Sequence, residues 1–292
     1  MTDAILGSYW TLAAGTLPLV QEVCDHDFRA RVEAASKAGY TGMGFWHSDL
    51  ENILKSTDFA EMRRILTGNG IVHIEVEWLN DWYYRDDRRA ESDRQRALLL
   101  DAAEGLGAHH IKVADLGNDG APRDLMMEEF ATLCAQAAER GTGILFEMLP
   151  ADFSALPSIG AVQDLIHGAG AKNGGIMLDN LHVQRTGTSF DEIRELLSGD
   201  DFVGVEINDG MLARPVDFMS SVVHRRLLPG DGEFDIGGFL NAVWSTGFAG
   251  AIGVEVMNEY LRQWPLEALA ETSFAKTKAV VDAARATGNA AS

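Results

Sequence analysis

Cysteine is nearly absent: Cys24 and Cys134 are the two in 292 residues. Both fall inside helical patterns, so they supply neither a disulfide framework nor a zinc knuckle, and they read as buried thiols in a reducing compartment. Positive charge is scarce as well. Against 44 acidic residues stand 24 basic ones, for a net charge of −20. Such a chain repels nucleic-acid phosphates and gains nothing at an anionic membrane surface, so neither partner is expected. No apolar stretch reaches the roughly 20 residues that a membrane helix needs. The N-terminal residues show no basic region followed by an apolar core, and the expected location is cytoplasmic. No Gly-x-Gly-x-x-Gly follows the first apolar run, which argues against a dinucleotide fold. No linker or low-complexity segment divides the chain, which reads as one domain over residues 1–292.

What is present is an ordinary globular composition, 46% hydrophobic, and a regular alternation of short apolar runs with helical patterns. Strands are expected near residues 5–12, 41–46, 71–78, 109–114, 144–149, 176–179, 202–208 and 251–257. Helices are expected between them: from Asp25 to Gly39, from a Ser56 cap to Asn69-Gly70, from Ser92 to Gly107, and over residues 125–139 and 161–167. Ser189 with Glu192 forms a capping-box signature, Asp235 caps a further helix, and Pro265 starts a long terminal one. Eight strands alternating with helices call for a parallel sheet, and this length favours a closed (β/α)8 barrel of the TIM type. The long connections after strands 3, 4 and 7 would build the rim at the C-terminal face.

Strand parity then sorts the side chains. Val72, Ile74 and Val76 share one face, and Glu75 and Glu77 the other. Ile111 and Val113 oppose Lys112; Val203, Val205 and Ile207 oppose Glu206; Ile252, Val254 and Val256 oppose Glu255. The β-branched parity must face the helices, so the barrel axis receives Glu77, Lys112, Glu147, Asp179, Glu206 and Glu255. Buried carboxylates repel one another and need compensation, either from Lys112 and nearby arginines or from a bound cation. Oxygen-rich ligands select hard cations, so one Mn²⁺ or Mg²⁺ is expected, with cobalt a third candidate. The four candidate metal ligands are Glu147, Asp179, Glu206 and Glu255. Asp179 alone would equally serve to cap the following turn. His182 reads either as a surface or capping histidine or as a site residue. Lys112 could neutralise the acids, bind a substrate oxygen or act as a base. Trp10, Trp46 and Trp78 could wall a pocket or simply pack. Of Arg225 and Arg226 only one should point inward.

Five pieces carry a resemblance: Leu-Phe-Glu147-Met, Leu-Asp179-Asn-Leu-His182-Val-Gln-Arg185-Thr-Gly, Val-Glu206-Ile-Asn-Asp209-Gly, Arg226-Leu-Leu-Pro229-Gly230-Asp-Gly232 and Gly-Val-Glu255-Val. In this order, at these strand ends, the chain resembles the sugar phosphate isomerase/epimerase group of xylose-isomerase-like barrels. The resemblance implies that Glu147 and Glu255 are paired catalytic glutamates that bind the metal and exchange the substrate proton. It implies that Asp179 is a metal ligand, and that His182 and Arg226 contact substrate. Lys112, Glu77 and Trp10 complete the expected substrate-binding set. In many members a histidine stands where this chain has Glu206. The reaction implied is isomerisation or epimerisation of a sugar, keto-sugar or polyol derivative through an enediolate. A lyase, such as an inosose-type dehydratase or a 3-keto-C-glycoside deglycosidase subunit, would start with the same step. A non-catalytic sugar-binding barrel is the third reading. The apurinic endonucleases that share the barrel need histidine-rich zinc sites and a basic groove, which the −20 charge and the missing histidine oppose. Outer helices could pair subunits into a homo-oligomer, but no stripe singles out an interface.

Overall fold

Short parallel strands carry the architecture. The computed structural model describes residues 4–117 and 121–291. Its strands are β1 Ile5–Gly7, β2 Gly42–Trp46, β3 His73–Leu79, β4 His110–Val113, β5 Gly143–Glu147, β6 Gly174–Asp179, β7 Val203–Ile207 and β8 Ile252–Val254. Each pairs in parallel with the next, and β8 returns to pair with β1, closing the barrel. The chain is therefore a single (β/α)8 TIM barrel.

The parity of the strands explains the closure. Ile74, Val76, Ile111, Val113, Ile144, Phe146, Ile176, Leu178, Val205, Ile207, Ile252 and Val254 are buried in one continuous core. They lie between the sheet and the helix ring. Burial of a branched side chain contributes roughly 1.5–3 kcal/mol, so this layer is the main source of cohesion. The alternate positions face the axis, where they are available for chemistry rather than for packing on helices.

Glycine makes room for the inward row at one place in particular. Gly253 on β8 lies beside Glu206 on β7. A Cβ there would lie 2.8 Å from Glu206 Cγ and 2.9 Å from the Val205 carbonyl oxygen. A long carboxylate side chain on β7 thus requires the smallest residue on β8.

Several expected boundaries move. The first strand ends at Gly7, and Trp10 lies on a short helix, Tyr9–Leu12, because Ser8 already has the extended conformation of a helix N-cap. Ser56 does not cap the following helix; its hydroxyl donates to the Ile53 carbonyl, while Asp58 accepts from the Glu61 N–H, and the helix is Phe59–Gly68. The helix expected from Ser92 starts earlier, at Arg89, and Ser92 instead bonds the Asn80 carbonyl. A helix at His47–Ile53 follows β2 directly and carries no strong sequence signal. The Ser189–Glu192 capping box and the Asp235 cap form as the sequence indicates.

Candidate metal centre

The C-terminal ends of the strands bring the inward row together. Glu147 on β5, Asp179 on β6, Glu206 on β7 and Glu255 just past β8 each offer a carboxylate oxygen, all within 4.8 Å of one another. All four residues are buried. Asp179 does two jobs: Oδ1 accepts from the Leu181 N–H at 2.7 Å and so caps the helix Asn180–Thr186, while the same carboxylate faces the cluster. The cap and the site are therefore not alternatives.

Lys112, fully buried, is the hub of this charge. Its Nζ lies 2.9 and 3.0 Å from the two Glu206 oxygens, 2.9 Å from Glu255 Oε1 and 2.7 Å from Glu77 Oε2. Burial opposes its charge, but Glu206, Glu255, Glu75 and Glu77 outweigh burial and raise the ammonium well above the usual lysine range. Arg226 is the second fixed cation. Its Nη1 donates to Asp179 Oδ2 at 2.6 Å and to Glu255 Oε2 at 2.7 Å. Arg225 points out and pairs with Glu259, so one arginine of the pair turns inward.

The loop that delivers Arg226 is built from two of the sequence pieces quoted above. Asp209 and Leu227 exchange both backbone hydrogen bonds. The Asp209 carboxylate accepts from the N–H groups of Gly230 and Phe234. Asn258 holds the Arg226 carbonyl through its side-chain amide, and the Arg226 N–H donates to the Met257 carbonyl. Asp209 thus fixes a loop, and the loop fixes a guanidinium between two carboxylates.

The carboxylates are not alike. Burial would raise Glu255, but Lys112 and Arg226 reverse this and hold it at about 2. Burial, reinforced by Glu255, pushes Glu206 well above the ordinary carboxylate range. Burial pushes Glu77 up to about 8 against the pull of Lys112. Glu147 has a different neighbour, His182, whose Nε2 lies 3.2 Å from its Oε1.

Two residues of the cluster were on the inward parity but not singled out from the sequence. Glu75, buried on β3, bonds His110 Nε2 at 2.6 Å. Asn208 donates its amide to both Asp179 oxygens, at 2.9 and 3.1 Å. Each shares the inward parity with a glutamate two residues away, but its partner lies on a neighbouring strand, which parity does not show.

The set fits a divalent cation. Six buried carboxylates (Glu75, Glu77, Glu147, Asp179, Glu206, Glu255) face two fixed cations, Lys112 and Arg226. That leaves an excess of negative charge in a medium that solvates it poorly. His182 Nδ1 is buried and has no hydrogen-bond partner among the described residues. Glu147, Asp179 and His182 also form a second group with ligand-like spacing. Carboxylate oxygens with one imidazole are a donor set for a hard or borderline ion.

Above this floor opens a cavity of about 420 Å³. Trp10, Trp46 and Trp78 line it, together with Glu77, His182 and Arg226. Trp10, which the sequence placed near a strand end, reaches the cavity from the helix after β1 instead.

A closed parallel barrel with carboxylates from four successive strands converging at one end defines a TIM barrel with an acidic candidate metal centre. The model of the xylose isomerase-like TIM barrel family matches residues 32–280, and the chain belongs to that family. It is 27% identical to a 3-dehydroshikimate dehydratase of Pseudomonas aeruginosa over 242 residues, 82% of this chain and 37% of that protein. The chain therefore matches little more than a third of that relative. It is 21% identical to an inosose isomerase of Bacillus velezensis over 260 residues, 86% of this chain and 90% of that protein. Among solved structures it superposes on the IolI protein with a bound zinc atom at a TM-score of 0.80, with 17% identity, covering 95% of this chain and 98% of that one. An L-ribulose 3-epimerase gives a TM-score of 0.72 at 16% identity, covering 100% and 98%. These structural likenesses show the fold.

Proposed function

We propose that the chain is a divalent-metal-dependent isomerase or epimerase of a sugar, keto-sugar or polyol derivative, acting by proton abstraction and an enediolate. The observation that carries this reading is the convergence of Glu147, Asp179, Glu206 and Glu255 within 4.8 Å. Those four residues would hold the ion, with manganese or magnesium favoured by the oxygen donors and cobalt next. When bound, the ion would supply charge stabilisation for the substrate oxygens on which negative charge develops.

The chain's own residues divide the remaining work. Glu147, beside His182, takes the proton from the carbon next to the carbonyl and later passes it to solvent, and for epimerisation Glu255, after taking up a proton of its own, would deliver one from the other face. Glu255 is clamped by Lys112 and Arg226, which leaves its oxygens less free to accept a proton and supports Glu147 as the base. His182 and Arg226 orient the substrate hydroxyls. Lys112 bridges Glu206 and Glu255 and offsets part of their charge, Glu77 shares its ammonium, and Trp10 closes one wall of the cavity.

The test is solvent proton exchange. The manganese-loaded protein in D₂O should introduce deuterium at the carbon beside the carbonyl of a ketose or keto-glycoside substrate. Glu147→Gln should slow that uptake at least about 100-fold, within the usual range for a general base. Uptake unchanged in the variant would remove Glu147 from the reaction.

A second reading, dehydration or another β-elimination from the same enolate, is favoured by the 27% identity to the 3-dehydroshikimate dehydratase. Product analysis separates the two: elimination yields an unsaturated product, whereas epimerisation conserves mass.

A further inference from the structure

The charged row has a lower step that the proposed reaction does not use. Gly44 on β2, Glu75 on β3 and His110 on β4 lie side by side in register, and all three are buried. Gly44 leaves the space that Glu75 fills: a Cβ there would lie 3.2 Å from Glu75 Oε1 and 2.9 Å from the Tyr9 amide nitrogen. His110 Nε2 lies 2.6 Å from Glu75 Oε2. A carboxylate ion only accepts, so the imidazole donates here. Glu75 Oε1 lies 3.8 Å from Lys112 Nζ, beyond hydrogen-bond reach, and has no hydrogen-bond partner among the described residues.

Lys112 is thus surrounded unevenly. Its ammonium lies 2.9 Å from Glu206, 2.9 Å from Glu255 and 2.7 Å from Glu77, while Glu75 stands back. Glu75 and Glu77 share a strand, a parity and this ammonium, yet they differ in charge. Burial pushes Glu77 up to about 8. Burial acts on Glu75 too, but Lys112 and the His110 hydrogen bond reverse it and hold Glu75 below the ordinary carboxylate range. Glu75 is therefore an anion that His110 holds by one oxygen. Opposite charges attract more strongly as they approach, and buried pairs are weakly screened. With His110 gone, the basic group left within 4 Å of Glu75 among the described residues is Lys112.

We propose that His110 is a positioning residue: by holding Glu75 it keeps Lys112 on Glu206 and Glu255, and so sets how readily those two carboxylates take a cation. The ammonium and a metal ion compete for the same oxygens, so every shift of Lys112 towards Glu75 frees ligand atoms. The effect on cation affinity rests on the proposed metal centre; the effect on the position of Lys112 does not.

The experiment combines crystal structures of the metal-free parent protein and three variants with calorimetric titration of each by manganese. In His110→Phe, Lys112 Nζ should come within about 3.2 Å of Glu75 and withdraw from Glu206. Manganese should then bind about tenfold tighter, the scale on which groups behind the ligands change metal affinity. His110→Gln keeps an N–H near the place of Nε2 and should restore both the parent geometry and the parent affinity. Glu75→Gln removes the competing charge, leaves Lys112 on Glu206 and Glu255, and should weaken manganese about tenfold. Adding Glu75→Gln to His110→Phe should abolish the gain. A merely structural histidine would lower stability in the Phe variant without moving Lys112. Lys112 unmoved in His110→Phe, an unchanged affinity in Glu75→Gln, or a Gln variant that behaves like the Phe variant would overturn the proposal. Should His110→Phe not fold, the near-isosteric Glu75→Gln decides. Absence of manganese binding by the parent removes the metal centre, and the position of Lys112 in the variants then decides the role of His110 by itself.

Discussion

Lys112 shows what a single residue must do in this barrel. Its ammonium is fully buried against Glu77, Glu206 and Glu255. A salt bridge of that kind is weak evidence of net stability, yet removing one partner leaves charge buried and uncompensated. Lys112→Met is expected to cost about 3–5 kcal/mol in urea unfolding of the metal-free protein. A loss below about 1 kcal/mol, the scale of a surface pair, would show that water reaches the cluster. Cys134 gives a second test at this scale. Burial pushes its thiol up to about 12. At pH 8 it is therefore protonated in the folded protein, and iodoacetamide should label it only after denaturation. As pH rises from the ordinary thiol range towards 12, the unfolded chain releases this proton before the folded one does, so stability falls through that window. Rapid labelling of the native protein at pH 8 would contradict the burial.

At the scale of elements, the fold was legible because a buried parallel sheet writes itself as β-branched alternation. Val203, Val205 and Ile207 against Glu206 could be read without coordinates, and so could Asp179 at the end of β6 and the Ser189 capping box. What could not be read was local competition for backbone donors. Ser56 and Asp58 are both plausible caps, and Asp58 takes the role. Ser8 turns the chain into a helix right after three strand residues, which moved Trp10 off the expected strand. Glu75 and Asn208 shared the inward parity, yet their importance depends on His110 and Asp179 lying opposite, information that exists only across strands. The same dependence makes β8 testable. Gly253→Ala would place a methyl group 2.8 Å from Glu206 Cγ and 2.9 Å from the Val205 carbonyl. Overpacking of this kind costs about 1–3 kcal/mol, and metal affinity should drop with it because Glu206 is displaced. Wild-type stability and wild-type metal binding in that variant would show that β7 and β8 can separate without consequence.

At the scale of the whole molecule, charge and site point the same way. The net charge of −20 disfavours polyanionic partners, and among the described residues no helix is long and apolar enough to cross a membrane. The barrel concentrates six carboxylates and two fixed cations at one end, which makes folding and cation binding linked equilibria. Manganese at 100 times its dissociation constant should stabilise the protein by about 2.7 kcal/mol, and for a chain of this size raise Tm by roughly 4–5 °C. The most direct test of the central claim is elemental analysis of the purified protein after chelation and manganese add-back, set against the Glu147→Gln/Glu255→Gln double variant. The account predicts one divalent ion per chain in the parent protein and none in the variant. No ion in either protein, or the same ion in both, would contradict a metal centre built on these carboxylates.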